Sequence, residues 1–323
     1  MKKFSKFYYL SSLIVVFSLL LVACSNNAET ITESTDKNEA QKSETQTVTY
    51  LEKEYTLPKP SDKIVTASLE AMEDAAILGV KPIGATTIGG KLPEYLASDL
   101  QGAKSIGEKM QPNYEEILSL KPDVILGTTK FQPDVKQKLE KIGPMIPVSH
   151  VSINWEDNLK LMGQLTGKTD QADQVIKEYK DKAAEIQQSI QESIGDKKVV
   201  VARIRRGNIY LYHSDVYLNP VLYNDLGIKI PKEIKAVKAQ DMISLEKFAE
   251  LNPDYLFLQF AEHENSKSPK ALEELQNNPI WKNIQAVKDN QVYINSVDPM
   301  AQGGTAWSKS KFIDAAVKAM STK

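Results

Sequence analysis

The sequence predicts an α/β protein of two similar lobes joined by one long helix. Three observations predict it. Short apolar runs alternate with stretches of helical spacing along most of the chain, the pattern of βα units around a parallel sheet. The stretch Asn113 to Ile125, with Glu115 and a Pro122-Asp123 pair, is echoed by Ser244 to Leu256, with Glu246 and Pro253-Asp254, at a constant offset of 131 residues. Leu78-Gly79-Val80-Lys81 is echoed in the same order by Leu226-Gly227-Ile228-Lys229. Finally, Asp170 to Ile194 keeps helical spacing with few breakers until Gly195. At ~1.5 Å per residue it is about 37 Å long, enough to run along a domain boundary. The alternative is a solvated face helix inside one domain.

Taken in order, the chain begins with Lys2, Lys3 and Lys6, then an apolar run from Phe7 to Ala23. This has the shape of a secretory signal peptide, although the run is nearly long enough for an uncleaved anchor. Leu21-Val22-Ala23-Cys24-Ser25 decides between them. It resembles a bacterial lipobox, using the only cysteine in the chain as the lipidation site. Residues 1–23 are therefore assigned as signal peptide. Removal of its three lysines takes the formal charge from −2 to −5. Residues 24–48 are polar and form a flexible tether. An N-terminal lobe is assigned to 49–153. Its strands are Ile64 to Ala67, Lys81 to Ala85, Asp123 to Gly127 and Met145 to Val148, with helices at Glu70 to Leu78, Tyr114 to Leu120 and Val135 to Ile142. The interlobe region is 154–196. It holds helices at Trp155 to Leu165 and Asp170 to Ile194, separated by Gly163 to Thr169, a helix break with a new cap at Thr169. The C-terminal lobe is 197–323. Strands fall at Lys198 to Ile204, Ile209 to Tyr212, Tyr255 to Phe260 and Val292 to Ile294. Helices fall at Val221 to Leu226, Leu245 to Leu251, Pro269 to Asn277 and Ser308 to Met320.

Composition excludes several functions. At 323 residues and 41% hydrophobic, the chain can bury real cores. Forty basic residues against 42 acidic ones leave no nucleic-acid footprint. One Cys excludes an intramolecular disulfide and a Cys-cluster metal site. His150, His213 and His263 lie scattered, which argues against a site for bare zinc or manganese. No G-x-S-x-G, G-x-G-x-x-G or HExxH motif is present. An enzyme is not nominated.

The arginines are the informative residues. All three lie in Arg203-Ile204-Arg205-Arg206. On a strand, Arg203 and Arg205 share one face. Their planar forks grip paired oxygens in a way lysine cannot, so an anionic, oxygen-rich ligand is expected between the lobes. Other candidates lie just past strand ends, where open α/β sheets bind ligands. They are Ser68, Thr86, Thr87, Lys130 and Phe260, with Lys109 before the Glu115 helix. Trp155 either rims the cleft or packs the interlobe helix. Trp307, in the Gly-rich stretch Asp298 to Ser308, either walls the cleft or belongs to a helix entry.

The lipobox, the repeated E-x-[IF]-x-x-L-x-P-D motif, the single interlobe helix and the final Gly-rich loop together resemble bacterial siderophore-binding lipoproteins of ABC importers. Ala202 to Arg205, Leu218 to Tyr223 and Asp298 to Ser308 look most like the Gram-positive iron(III)-hydroxamate branch, especially receptors for citrate-hydroxamates such as schizokinen and arthrobactin. The resemblance implies a class III substrate-binding protein with two Rossmann-like lobes around a rigid helical backbone and modest closure. It implies a monomer, lipid-anchored through Cys24 on the outer face of the cell membrane. The ligand is a ferric siderophore, without a resident cofactor and with no metal held directly by protein side chains. The partner is an ABC permease with a cytoplasmic ATPase. Arg205 matches the family's ligand arginine. Arg203 stands where some hydroxamate receptors have an aromatic, which shifts the expectation toward more anionic cargo and leaves ferric catecholates open. Cobalamin or heme carriage and a lipid-anchored enzyme are the other readings. Glu115 matches a glutamate that docks on the permease, and Glu246, its repeat mate, is the proposed counterpart.

Overall fold

The computed structural model describes residues 44–321. The expected signal peptide and the Cys24 lipidation site lie outside the described residues, as does the expected tether through residue 43. The first described element is a hairpin of β1 (Thr45–Tyr50) and β2 (Lys53–Pro58). It begins inside the stretch expected as tether. The reason is local: Thr45, Thr47 and Val48 are β-branched, and Val48 and Tyr50 bury inward. The Tyr50 hydroxyl donates to Asn158 Oδ1 (2.5 Å) and accepts from the Ser149 amide (2.7 Å), pinning the hairpin to the N-terminal lobe.

That lobe contains β3 (Ile64–Thr66), α1 (Leu69–Ile77), β4 (Gly84–Thr87), β5 (Lys104–Glu108) and β6 (Gln111–Pro112), then α2 (Tyr114–Leu120), β7 (Val124–Thr128), α3 (Pro133–Glu140) and β8 (Met145–Val148). The sheet order is β6-β5-β4-β3-β7-β8, parallel except for β6. β3, β4 and β7 are buried throughout, as parallel strands covered on both faces must be. The chain builds outward from β3 in both directions. The reversal leaves a crevice at the carboxyl ends of β3 and β7.

Two helices follow, α4 (Trp155–Thr166) and α5 (Thr169–Ile194). Left-handed Gly167 ends the first, and Thr169 is the first residue of the second rather than its cap, which is Lys168. The C-terminal lobe then runs β9 (Val199–Arg205), β10 (Asn208–Tyr212), a π-helical turn at Val221–Asp225, α6 (Lys232–Ala236), β11 (Gln240–Ile243), α7 (Leu245–Leu251) and β12 (Tyr255–Phe260). It closes with α8 (Ala271–Asn277), α9 (Pro279–Lys282), α10 (Gln285–Lys288), β13 (Val292–Ile294) and α11 (Ala306–Ser321). Its sheet order is β11-β10-β9-β12-β13, with β10 antiparallel to both neighbours.

The repeated sequence motif performs the same task twice. Asn113 and Ser244 cap α2 and α7, and left-handed Lys121 and Asn252 end them. Asp123 Oδ2 then accepts from the Lys63 amide (2.8 Å) at the entry to β3. Asp254 Oδ2 accepts from the Lys198 amide (2.7 Å) at the entry to β9. β3 and β7 of one lobe thus correspond to β9 and β12 of the other.

The long helix joins the lobes. Near its start, Lys168 Nζ donates to the Leu78 carbonyl (2.7 Å). Further along, the Tyr179 hydroxyl donates to Asp225 Oδ2 (2.5 Å) and Gln191 Nε2 to the Gly227 carbonyl (3.2 Å). α11 shares the bridging: buried Lys309 pairs with Asp225 (2.6 Å) between the rings of Trp155 and Tyr179. One apolar core runs without a break from Ile64, Ala71 and Leu126 through Leu159, Ile176 and Phe312 to Val200, Leu218 and Phe257. Each of the larger side chains in it contributes about 1.5–3 kcal/mol by leaving water.

Candidate functional site

The carboxyl ends of the N-terminal strands face the C-terminal lobe across a cleft of about 560 Å³. Glu70 enters it just after β3, Lys109 after β5, Lys130 after β7, and His150 and Ser152 after β8. Arg203 and Arg205 enter from β9, as the strand alternation requires, with Tyr212, Tyr217, Gln240 and Glu264 around them. The floor is Met300, Ala301, Gln302 and Gly304. Here loops of the C-terminal lobe approach one another, and the Ser152 segment, so closely that side chains are excluded. A Cβ on Gly303 (φ +77°) would stand 2.6 Å from the Tyr217 carbonyl carbon, and one on Gly304 2.8 Å from Ser152 Cα.

Charge dominates the walls. Lys109, Lys130, Arg203 and Arg205 meet three carboxylates, Glu70, Asp215 and Glu264. Arg203 Nε donates to Glu264 Oε2 (2.8 Å), while Arg205 Nε lies 3.3 Å from Glu264 Oε1 and its Nη1 donates to Gln240 Oε1 (3.0 Å). Lys130 Nζ pairs with Glu70 (3.2 Å). Among the described residues, Lys109 has no carboxylate within ion-pair distance of its amine. Burial, followed by the Lys130 charge, pulls Lys109 below the usual lysine range. Burial also opposes the Arg203 charge, but the Tyr217 and Glu264 oxygens outweigh it and hold the guanidinium above its ordinary pKa. His150, hydrogen-bonded to Thr129 Oγ1 (2.7 Å), is pushed down by burial and then by Lys130. Among the described residues no group of three or more His, Cys, Asp or Glu is placed to hold a metal ion.

The floor is held from the opposite lobe. Glu73 of α1 is fully buried and accepts hydrogen bonds from the Gln302 amide (2.9 Å), Ser308 Oγ (2.5 Å), the Tyr95 hydroxyl (2.7 Å) and Thr305 Oγ1. Burial raises its pKa, and these four donors pull it back.

Of the residues singled out from sequence, the structure brings four into the cleft: Lys109, Lys130, Arg203 and Arg205. Six others, Ser68, Thr86, Thr87, Phe260, Trp155 and Trp307, fall outside its lining. Thr87 Oγ1 bonds the Gly107 carbonyl (3.0 Å) and Glu108 Oε1 (2.9 Å). Thr86 is buried and donates to the Gly107 carbonyl (3.0 Å), tying β4 to β5. Phe260 ends β12, where its amide donates to Asn295 Oδ1 (2.8 Å). Trp155 packs edge-on against Tyr179 (ring centroids 5.3 Å apart) beneath Lys309. Trp307 packs on Tyr95 and the Leu69–Met72–Leu96 cluster. Ser68 caps α1 through the Ala71 amide (3.2 Å). Glu115 and Glu246 are exposed in the first turns of α2 and α7. The lining also holds residues that sequence reasoning passed over. Glu70 and His150 obey the strand-end rule and were findable by it. Gln302 lies in the Gly-rich stretch Asp298 to Ser308 that the sequence marks, whereas Gln240 and Glu264 carry no pattern that marks them.

Two βα lobes bridged by helices around a charged cleft define a solute-binding protein. The family model described as periplasmic binding protein matches residues 64–296, and the chain belongs to that family, one of binding proteins and not enzymes. It is 47% identical over 319 residues to the iron-uptake system-binding protein of Bacillus subtilis (strain 168), covering 98% of each chain. It is 49% identical, with a TM-score of 0.81, to the triscatecholate siderophore binding protein FeuA from Bacillus subtilis complexed with ferri-bacillibactin, covering 85% of this chain and 98% of that one. Identity to the iron(3+)-hydroxamate-binding protein FhuD of the same organism is 29% over 297 residues, 88% of this chain and 89% of that one. The expected affinity with the hydroxamate branch is thereby corrected: the chain as a whole is much more similar to the triscatecholate-binding relative, at 49% identity, than to the hydroxamate-binding one, at 29%.

Proposed function

We propose that this chain captures a ferric siderophore of the triscatecholate class outside the cytoplasm and delivers it to an ABC permease for iron uptake. The observation that carries the reading is the convergence of Lys109, Lys130, Arg203 and Arg205 on one cleft. Ferric ion is hard and takes oxygen donors. Three catecholate dianions around it leave a trianion whose outer oxygens accept hydrogen bonds. At an effective dielectric of ~20, each unit charge pair at ~4 Å interacts by about 4 kcal/mol before desolvation. Four cations against the three carboxylates Glu70, Asp215 and Glu264 leave the cleft net positive, which favours a trianion over a neutral hydroxamate complex and disfavours a cationic one. The 47% identity to an iron-uptake protein and the structural likeness to a ferri-bacillibactin complex support the same cargo. Anchoring through Cys24 is part of this proposal, and the lipobox supports it.

The test is a titration of the mature chain, read by intrinsic fluorescence, with ferric triscatecholate, ferric schizokinen, ferrichrome, ferrioxamine, cyanocobalamin and heme. Tyr212 and Tyr217 line the cleft whereas Trp155 and Trp307 do not, so tryptophan quenching will be through space. Saturable quenching by ferric triscatecholate at sub-micromolar concentration is expected, with at least tenfold weaker binding after Arg203→Ala plus Arg205→Ala. Preference for a hydroxamate complex, or for cobalamin or heme, would overturn the reading.

A further inference from the structure

We infer that Glu264 is a positioning residue of the cleft: its single carboxylate clamps the Nε edges of Arg203 and Arg205 and leaves the terminal amines of Arg203 for the ligand. This rests on the proposed capture of an anionic ferric complex. The geometry is specific. Oε2 takes Arg203 Nε at 2.8 Å and Oε1 faces Arg205 Nε at 3.3 Å. Both contacts are to the inner nitrogen of the fork. The two terminal amines of Arg203 make no hydrogen bond to the protein among the described residues, although the side chain is only 9% exposed. Arg205 commits one terminal amine to Gln240, and its side chain also hydrogen-bonds the Tyr212 hydroxyl. Arg203 thus keeps the terminal pair that grips paired oxygens bidentately, while Gln240 and Tyr212 hold Arg205 beside it.

The clamp is itself held firmly. Glu264 sits in a 3-10 turn, His263–Asn265, laid against β9. Its carbonyl accepts from the Arg206 amide (3.2 Å). Fully buried Asn265 donates to the Ile204 and Ala261 carbonyls (both 2.9 Å) and accepts from the Gly207 amide (3.0 Å). The carboxylate is therefore fixed relative to the strand that carries both arginines.

Positioning and plain electrostatics predict opposite signs. A carboxylate beside an anion site repels the anion, so on charge alone Glu264→Gln tightens binding. If Glu264 aligns two guanidiniums that otherwise repel each other and splay, the same substitution loosens it. Ferri-bacillibactin titrated into the full mature chain is expected to bind at least tenfold more weakly to Glu264→Gln, with an unchanged circular dichroism spectrum. The loss is expected to vanish in an Arg203→Ala, Arg205→Ala background, because residues acting through one another are not additive. Equal or tighter binding by Glu264→Gln overturns the inference, as does the same loss in the arginine-free background. A ligand-independent arm keeps the two readings apart. The chain has only three arginines, so their Nε–H resonances are readily assigned by NMR. Two exchange-protected signals are expected in the unliganded protein, both losing protection in Glu264→Gln; unprotected signals in the parent chain overturn the clamp. Failure of the parent chain to bind any ferric siderophore, with the protected signals present, would strike the proposed function and leave the clamp standing.

Discussion

Lys109 bears a charge that its surroundings resist. Burial comes first and the neighbouring Lys130 second, and together they depress its pKa. An anionic ligand in the cleft favours the protonated amine and raises that pKa again. Binding and protonation are then linked. Affinity is flat while free Lys109 is protonated, and falls as pH rises through its lowered free-state value, before the usual lysine range is reached. The expected outcome is weakening of ferric triscatecholate binding at alkaline pH, with a slope that Lys109→Gln abolishes; an equal slope in that variant would place the titration elsewhere. Lys109, Lys130, Arg203 and Arg205 were legible in sequence because strand alternation and the strand-end rule have simple geometry. Trp155 and Trp307 were read as open alternatives, and the structure puts both in packed positions where a large ring fills space between helices. Glu264 was not legible at all. It lies in a short turn, far along the chain from the arginines it holds, and only the folded sheet brings them together.

α2 and α7 show what the sequence repeat is for. Each is a seven-residue helix with a side-chain cap, a left-handed exit and an aspartate that receives the entry of the adjacent strand. Loss of such a cap costs about 1 kcal/mol. Both helices display an exposed glutamate in the first turn, where the helix dipole favours negative charge. The Glu246 carboxyl is held below the usual range by its own amide and the Ser244 hydroxyl, so it is ionised at neutral pH. We assign this pair to permease contact. Glu115→Ala with Glu246→Ala is expected to abolish siderophore-dependent iron import while leaving the dissociation constant of the isolated protein unchanged; normal import would sink the assignment. Most elements were legible, because fully buried parallel strands read as continuous apolar runs. The misses have physical causes. β11 is an exposed edge strand with no apolar alternation, and Val221–Asp225 is a single wide π turn rather than a full α-helix. β1 lies in a polar stretch whose β-branched residues are a weak signal, and pairing with β2, burial of Val48 and Tyr50 and the Tyr50 contacts with Asn158 and Ser149 settle it as a strand.

The two lobes of the described residues form one body more than two. Its main core passes through α4, α5 and α11 without interruption, Asp225 receives Tyr179 and Lys309 at the junction, and Glu73 locks the cleft floor across the lobes. Wide hinge closure would break these contacts together. Small-angle scattering is therefore expected to show a change in radius of gyration below about 1 Å on saturation with ligand, the scale of pre-organised partners; a larger contraction would show that the junction yields. The Glu73 cluster also orders events in time. Its carboxylate belongs to the first helix of the first lobe, yet three of its four donors, Gln302, Thr305 and Ser308, come from near the end of the chain. Before Gln302, Thr305 and Ser308 are made, the N-terminal lobe lacks three of the four donors that offset burial of this acid, so the packing around α1 is expected to be completed only after their synthesis.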